Sequence, residues 1–325
     1  MQQFASLQDA QCKNAWLTIG AFDGVHLGHQ RILNDLTAGA HQQAAPTGSP
    51  SPAVVLTFYP HPAEVLRGSR NNFYLMTPEA KAQQLELMGV DILITQPFSL
   101  EFSKTSARDF VTQLKDHLDL KELWIGHDFA LGHNREGDFA TLQKFGAQMG
   151  FNVHAIAAVE IDGEPVSSSH IRSLLSAGDV QAAARLLGRP YSLAGEVTGG
   201  AKRGRSIGIP TANLALWEKR AVPASSVYVT WATLGDKRYG SVTNIGVRPT
   251  FEEKLLAPVV ESHLLDYDGG EFYGQTLRLD FIARLRGEQR FAGVDELVAQ
   301  IHRDIAAGRI VLSELADEWW NETLP

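Results

Sequence analysis

The sequence predicts an α/β protein: a parallel sheet wrapped by helices, then a small antiparallel β-barrel with a C-terminal helix. Three observations lead there. The first half alternates short β-rich apolar runs with stretches whose apolar residues recur at helical spacing. From Tyr191 to about Arg284 that rhythm stops, and short strands follow one another between Gly, Pro and Asp-Gly turns. Helical spacing then returns in "VDELVAQIHRDIAAGRI". The change of texture sets a boundary near residue 188, dividing the chain into domains 1–187 and 188–325.

In order, "AWLTIGAF" (15–22) reads as a strand, and "HLGHQRILNDLTAGAHQ" as a helix with Leu27, Ile32, Leu33 and Leu36 on one side. "HQQAAPTGSPSP" is turn-rich and leads into a buried strand, "AVVLTF". The next helix, "TPEAKAQQLELMGV", has Thr77 placed as its cap and Pro78 at its first position. Strand "DILITQ", helix "SARDFVTQLKDHL", strand "ELWIG", helix "DFATLQKFGAQMG" and strand "FNVHAIAAV" follow. Such a series places ligands at the carboxyl ends of parallel strands. The barrel strands are expected in "YSLAGEVTGG", "VYVTWATL", "KRYGSVTNIG", "VVESHLLDY" and "TLRLDFIARL".

Composition narrows the function classes. Apolar residues make up 44% of the 325 and charged residues 20%, an ordinary globular balance. No apolar run approaches the roughly 20 residues that span a bilayer, and the polar N-terminus lacks a signal-peptide pattern, so no membrane partner is expected. A net charge of −8 argues against nucleic acid as a partner, since any polyanion needs a local basic cluster. The single cysteine, Cys12, excludes an intramolecular disulfide and suits a reducing cytoplasm, where an inert thiol is expected. The oligomeric state is left open.

The first chemical signal is "GAFDGVHLGHQ" (20–30), where the first strand turns into the first helix. His26 and His29 stand three apart, so a helix beginning near Val25 or His26 projects both from its first turn. Free N–H groups and the helix dipole favour anions there, and Gly28 lets a phosphate approach the backbone. Metal ligation is the rival reading, although no third ligand follows at a usual spacing. A second signal is "VSSSHIR", with Ser167, Ser168 and Ser169 before Arg172; the serines serve either as helix caps or, with the arginine, as a phosphate hold.

These stretches, with "TFYPHP" (57–62) and "GHDFALGHNREG" (126–137), closely resemble the adenylyltransferase module of bacterial bifunctional riboflavin kinase/FAD synthetases. The resemblance implies a Rossmann-like nucleotidyltransferase domain with a His-x-Gly-His signature. It implies that His26 and His29 bind ATP phosphates and stabilise charge developing at the α-phosphate. Gly20, Phe22, Asp23 and Gly28 of the same motif join the candidate nucleotide site, and Ser168, Ser169 and Arg172 hold ATP and the departing pyrophosphate. Asp128 and Arg135 fall in the family's loop near nucleotide and flavin. Relatives usually carry Thr in place of Ser169 and Asp in place of Tyr59. The chemistry suits such a site: an FMN phosphate, already ionised, attacks phosphorus without a general base, leaving positioning and charge stabilisation to the protein.

The second signal-rich segment is "GAKRGRSIGIPTANL" (200–214), which sets Lys202, Arg203 and Arg205 among Gly204 and Gly208. A glycine loop with cations wraps a triphosphate, although the segment does not match the Walker pattern. Thr211 and Asn213 offer neutral oxygens on one strand face, suited to Mg²⁺ that keeps its waters. Glu261 sits in an apolar strand, and alternation alone does not decide whether it is a surface residue or a buried base. "GRSIGIPTANL", "TNIGVRPTF" (243–251), "ESHLLDY" and "FYGQTLRLDFIARLRGEQRF" resemble the riboflavin kinase module of the same family. That likeness implies Mg²⁺–ATP coordination by Thr211 and Asn213, with Glu261 as base for the ribityl hydroxyl. It places Arg286, Glu288 and Arg309 around the flavin. The expected substrates are riboflavin, FMN and ATP, with Mg²⁺ as cofactor; the alternative is a single-activity nucleotidyltransferase carrying a flavin-binding barrel.

Overall fold

The computed structural model describes residues 1–42, 51–68, 73–199, 208–249 and 256–315. They form two compact units, Met1–Arg70 with Met76–Ser167, and Asn71–Leu75 with Ser168–Pro325.

In the first unit, β1 (Gln2–Phe4), β2 (Trp16–Ile19), β3 (Ala53–Tyr59), β4 (Ile92–Pro97), β5 (Glu122–Gly126) and β6 (Asn152–Ile156) make one sheet in the order β1-β4-β3-β2-β5-β6. Every neighbouring pair is parallel. The inner strands are apolar on both faces because helices cover both, as a parallel sheet requires. The helices are α1 (Leu27–Gln42), α2 (Pro62–Arg67), α3 (Pro78–Leu87), α4 (Ala107–Leu118) and α5 (Phe139–Met149). Short side chains start most of them: Thr77 Oγ1 accepts from Ala80 N at 3.2 Å with Pro78 at the first position, as the sequence predicts. Ser106 and Asp138 cap α4 and α5 in the same way.

Chain order fixes where a ligand can enter. From β2 the chain moves out to β3 and β4, then returns to β5 on the other side of β2. The switch point therefore lies at the carboxyl ends of β2 and β5, where flanking loops diverge. The sequence reading carries the first strand through Phe22, whereas β2 ends at Ile19. The reason is the backbone: Phe22 (φ 48°), Gly24 (φ 84°) and Val25 (φ 41°) adopt left-handed conformations that no strand contains. A two-residue hairpin pair, β7 (Glu160–Ile161) and β8 (Glu164–Pro165), ends the unit.

In the second unit, α6 (Ser168–Ala177) and α7 (Val180–Leu187) precede β9 (Tyr191–Thr198), β10 (Ala212–Ala215), β11 (Ser226–Leu234), β12 (Lys237–Pro249), β13 (Leu256–Leu264) and β14 (Thr276–Gly287). These strands close an antiparallel barrel in the order β10-β13-β12-β11-β14-β9, and α8 (Val294–Leu315) follows. Leu312 of α8 packs with Val227, Val229 and Val242 on the outside of the barrel. Inside it, Thr230 Oγ1 bonds Ser241 Oγ and Thr243 Oγ1 at 2.6 Å each, and Thr243 donates to Ser262 Oγ at 2.9 Å. The compact-unit division falls at 167/168, earlier than the change of texture near residue 188. The cause is packing: α7 buries Val180, Ala183, Leu186 and Leu187 and rests on β9 and β14. Residues Phe73 and Tyr74 join this unit because both amides donate to the Lys219 carbonyl, at 2.9 and 2.8 Å.

Helix α1 is set against β2 by a close approach at Gly39, where a Cβ would lie 2.1 Å from Trp16 Cζ3. Trp16 is 6% exposed, so it has no room to withdraw. Replacing Gly39 with Ala should destabilise the protein by about 1–3 kcal/mol despite alanine's better helix propensity, read as a lower denaturant midpoint.

Candidate active sites

The turn after β2 brings its side chains together by local geometry. His26 is the residue before α1, and its Nδ1 accepts the His29 backbone N–H at 3.3 Å, so it caps the helix. The sequence places both histidines in the first turn; the structure makes His26 the cap and His29 the third helical residue. The two rings stack, with centroids 3.7 Å apart and planes 17° apart. Because Nδ1 is an acceptor, the proton of a neutral His26 resides on Nε2. The first amides of α1, those of Leu27 and Gly28, have no acceptor within the helix.

Gly28 and Gly20 sit where a side chain would press on the neighbouring rings. A Cβ on Gly28 would sit 3.2 Å from the His26 ring and 3.6 Å from the Val166 carbonyl, two residues before Ser168. A Cβ on Gly20 would lie 3.1 Å from the Phe22 ring. That ring, 1% exposed, packs 5.0 Å from His29. Phe22 and Gly20 thus support the imidazoles from below.

Two residues of this site were not found in the sequence. Lys81 of α3 is 8% exposed, and its Nζ donates to the Ala21 carbonyl at 2.9 Å and to Thr57 Oγ1 at 3.1 Å. Thr57, on β3, donates in turn to the Ala21 carbonyl at 3.1 Å. Burial pushes the Lys81 pKa down to about 8, while the negative charge of Asp23, itself 2% exposed, pulls it up. Lys81 shares a helix face with Leu85. A charged residue on an apolar stripe was the available signal.

The loop after β5 reaches the same switch point. Gly126 ends that strand between Ile32 of α1 and the Asp128 carboxylate: its Cβ would lie 3.8 and 3.6 Å from them. Arg135 Nη2 donates to the Asp128 carbonyl at 2.6 Å, from a turn in which Asn134 and Arg135 both have positive φ. Tyr59, at the end of β3, is 36% exposed.

In the second unit, Ser168 and Ser169 open α6, and Arg172 Nη2 donates to Ser169 Oγ at 3.2 Å. The Arg172 guanidinium lies 4.4 Å from the centre of the Phe73 ring, a cation–π contact that fixes its direction.

On the barrel, register resolves what alternation left open. Ser262 is fully buried with the hydroxyls of the interior, so Glu261 and His263 point outward. Glu261 pairs with Asn213 on β10 and with Asn244 on β12, which puts Asn213, Glu261 and Asn244 in one row across three strands. Asn244, within the quoted "TNIGVRPTF", is thereby a further candidate on this face. Beyond it, a Cβ on Gly246 would lie 3.0 Å from Glu288 Oε1, so that carboxylate leans over the same face. Beside the row is a cleft of about 560 Å³ whose lining includes Gly208, Thr211, His263, Asp266, Tyr267 and Phe272. His263 Nδ1 lies 2.8 Å from the Pro210 carbonyl, tying β13 to the segment that carries Thr211.

The remaining predicted cations are engaged within the unit. Arg309 of α8 grips Asp266 through two bonds of 2.7 Å, and that guanidinium holds the Asp266 carboxyl below its usual range. Arg286 makes a two-pronged pair with the buried Asp304 of α8, at 2.7 Å in its shortest contact. Lys202, Arg203, Gly204 and Arg205 lie outside the described residues. Burial, aided by Asp119, pushes the Cys12 thiol up to about 11, which keeps it protonated and unreactive at neutral pH.

With these sites defined, the chain can be set beside known proteins. It matches the FAD synthetase family model over residues 8–170 and the riboflavin kinase model over 187–312. A bifunctional riboflavin kinase/FMN adenylyltransferase from Pseudomonas fluorescens is 40% identical over 92% of this chain and 93% of its own. One from Bacillus subtilis is 36% identical over 92% of each chain. A solved structure described as a macrolide-efflux protein from Streptococcus pneumoniae is 27% identical, with a TM-score of 0.85 over 94% of this chain and 98% of that one. No helix among the described residues is long and apolar enough to cross a membrane. Two domain models in tandem, and curated relatives matched almost end to end, place the chain in the family of bifunctional riboflavin kinase/FMN adenylyltransferases.

Proposed function

We propose that riboflavin and ATP give FMN and ADP at the barrel, and that FMN and a second ATP give FAD and pyrophosphate at the parallel sheet. The functional modules are residues 1–187 and 188–325, in the cytoplasm. What carries the reading is the chemical contrast between the sites. The barrel sets a carboxylate, Glu261, between two amides beside a cleft. The sheet presents stacked imidazoles at a helix N-terminus, while its loop carboxylate, Asp23, is buried against Lys81.

That contrast suits two different nucleophiles. The ribityl 5′-hydroxyl of riboflavin is barely ionised at neutral pH, so its attack on the γ-phosphorus needs a group to accept its proton, and Glu261 takes that role. The phosphate of FMN is already an anion and attacks the α-phosphorus of ATP directly. There, His26 and His29 meet the charge that builds on the α-phosphate, and Ser168, Ser169 and Arg172 serve the triphosphate and the leaving pyrophosphate. Asp128 and Arg135 flank the nucleotide and the flavin.

Thr211 and Asn213 offer neutral oxygens, a donor set that fits Mg²⁺ bound mainly by phosphates and water. With two neutral protein oxygens, the phosphates of ATP supply further ligands. Bound there, Mg²⁺ neutralises phosphate charge. Lys202, Arg203 and Arg205 supply positive charge for the triphosphate. Tyr267 and Phe272, with ring centres 5.1 Å apart, give the cleft an aromatic wall for a planar ring. Arg286, Glu288 and Arg309 surround the flavin and hold the segments that close on it.

Incubation with riboflavin, ATP and Mg²⁺, with the flavins separated over time, should show FMN appearing before FAD. Glu261→Ala should slow FMN formation about 10²–10⁴-fold while supplied FMN is still adenylylated. His29→Ala should give the reverse, with FMN accumulating and FAD absent. Loss of both activities in either folded variant refutes the two-site assignment. Gly28→Ala should push the His26 ring aside and reduce FAD formation about tenfold, equivalent to about 1.4 kcal/mol, leaving FMN formation intact.

A further inference from the structure

Lys81 stands out because a buried lysine is rarely kept without a task, and its contacts converge on the turn that carries the histidines. It sits on α3, far in sequence from "GAFDGVHLGH", yet Nζ reaches the Ala21 carbonyl directly and again through Thr57 Oγ1. The carbonyl at the apex of that triangle belongs to Ala21, the residue before Phe22, which is left-handed and packed on His29. Asp23, buried next in the turn, supplies the countercharge. The other carboxylates of α3, Glu79 and Glu86, are solvent-exposed, and Glu86 pairs with the chain's N-terminal amine at 2.9 Å. β3 contributes only the neutral Thr57 to these contacts.

We propose that Lys81 is a positioning residue of the adenylyltransferase site, acting through Ala21 and Asp23 to hold the turn that aims His26 and His29 at the phosphates. The proposal rests on the assignment of FMN adenylylation to that turn. A neutral side chain of the same length fills the space but removes the ammonium from the Ala21 carbonyl, leaving Thr57 as a side-chain donor to it, and removes the positive charge beside Asp23. The imidazoles then lose their fixed direction, and interactions worth most in the transition state weaken first. Thr57 is the relay, so its hydroxyl matters in the same direction and to a smaller degree. The barrel is a separate compact unit, so riboflavin phosphorylation gives an internal control in the same chain.

The test compares wild type, Lys81→Met, Thr57→Val and His29→Ala as full-length chains, each assayed for FMN adenylylation and riboflavin phosphorylation. Lys81→Met should lower kcat for adenylylation at least tenfold and raise KM for ATP, with phosphorylation within twofold of wild type. Thr57→Val should show the same pattern at about threefold. A mere loss of folded enzyme lowers kcat with KM unchanged, so the KM shift separates positioning from stability. Wild-type adenylylation should also decline above about pH 8 as Lys81 loses its proton, and Lys81→Met should lack that decline. If Lys81→Met folds and adenylylates FMN within twofold of wild type at unchanged KM, the proposal is wrong. If Lys81→Met does not fold, wild-type kinetics in Thr57→Val overturn it instead. Full FAD formation by His29→Ala sinks the underlying site assignment, an outcome distinct from the other two.

Discussion

Seven residues, from Gly20 to His26, hold three left-handed backbone conformations, with Phe22 to His26 buried, and the proposed adenylyltransferase site depends on that turn. Two of the three fall on Phe22 and Val25, for which such φ values are strained, typically by about 1–3 kcal/mol each. Strain of this kind persists only when the surroundings over-determine it. Here the surroundings are full: Phe22 and Val25 are both within 1% of complete burial, and the Ala21 carbonyl is held from two directions. The parallel sheet fixes where the turn starts, and Trp16 against Gly39 fixes where the helix after it lies. Imidazole direction is thus set by backbone packing.

The barrel solves a different problem by a different route. The general base proposed there, Glu261, has to be half-desolvated and still reach a flexible alcohol. Strand pairing supplies this with little strain, because register alone aligns Asn213, Glu261 and Asn244 on one outer face. The buried hydroxyls on the opposite face, from Ser262 through Thr243 to Thr230, lock that register from inside. A one-residue slip would break those bonds and turn Glu261 inward, so the interior polar ladder specifies the orientation of that carboxylate.

Much of this was legible in the sequence, and the exceptions have physical causes. Period and turn residues gave the alternating sheet, the barrel and the Thr77–Pro78 cap, since each is a local property. The end of β2 was overrun because Ala21 and Phe22 look like strand residues; only long-range packing forces Phe22 into a left-handed turn. The facing of Glu261 could not be read because both faces of its strand carry polar residues, and pairing with β10 and β12 was needed. Placing α6 and α7 with the barrel required knowing what their apolar faces meet. Lys81 and Asn244 escaped for a common reason: each is set beside its neighbour by the fold, Lys81 bonded to Ala21 and Asn244 in register with Glu261.

The charge of Lys81 has a thermodynamic consequence opposite to its service at the site. Its folded pKa, about 8, lies below the unfolded value of 10.5, so between those values the unfolded chain binds more protons than the folded one. Stability from this group therefore rises as pH climbs through that window, and below pH 8 the buried charge weakens the fold by on the order of 3 kcal/mol. An apolar residue at position 81 would remove that penalty and with it the ammonium that bonds the Ala21 carbonyl. A side chain that destabilises the fold in its working protonation state is retained for what it holds in place. At neutral pH the cation keeps the turn closed under the imidazoles; above pH 8 the contribution of this group to stability rises as that grip is lost. The Lys81 share of stability, read as the difference between wild type and Lys81→Met, and adenylylation should therefore move in opposite directions with pH, which a purely structural lysine would not produce.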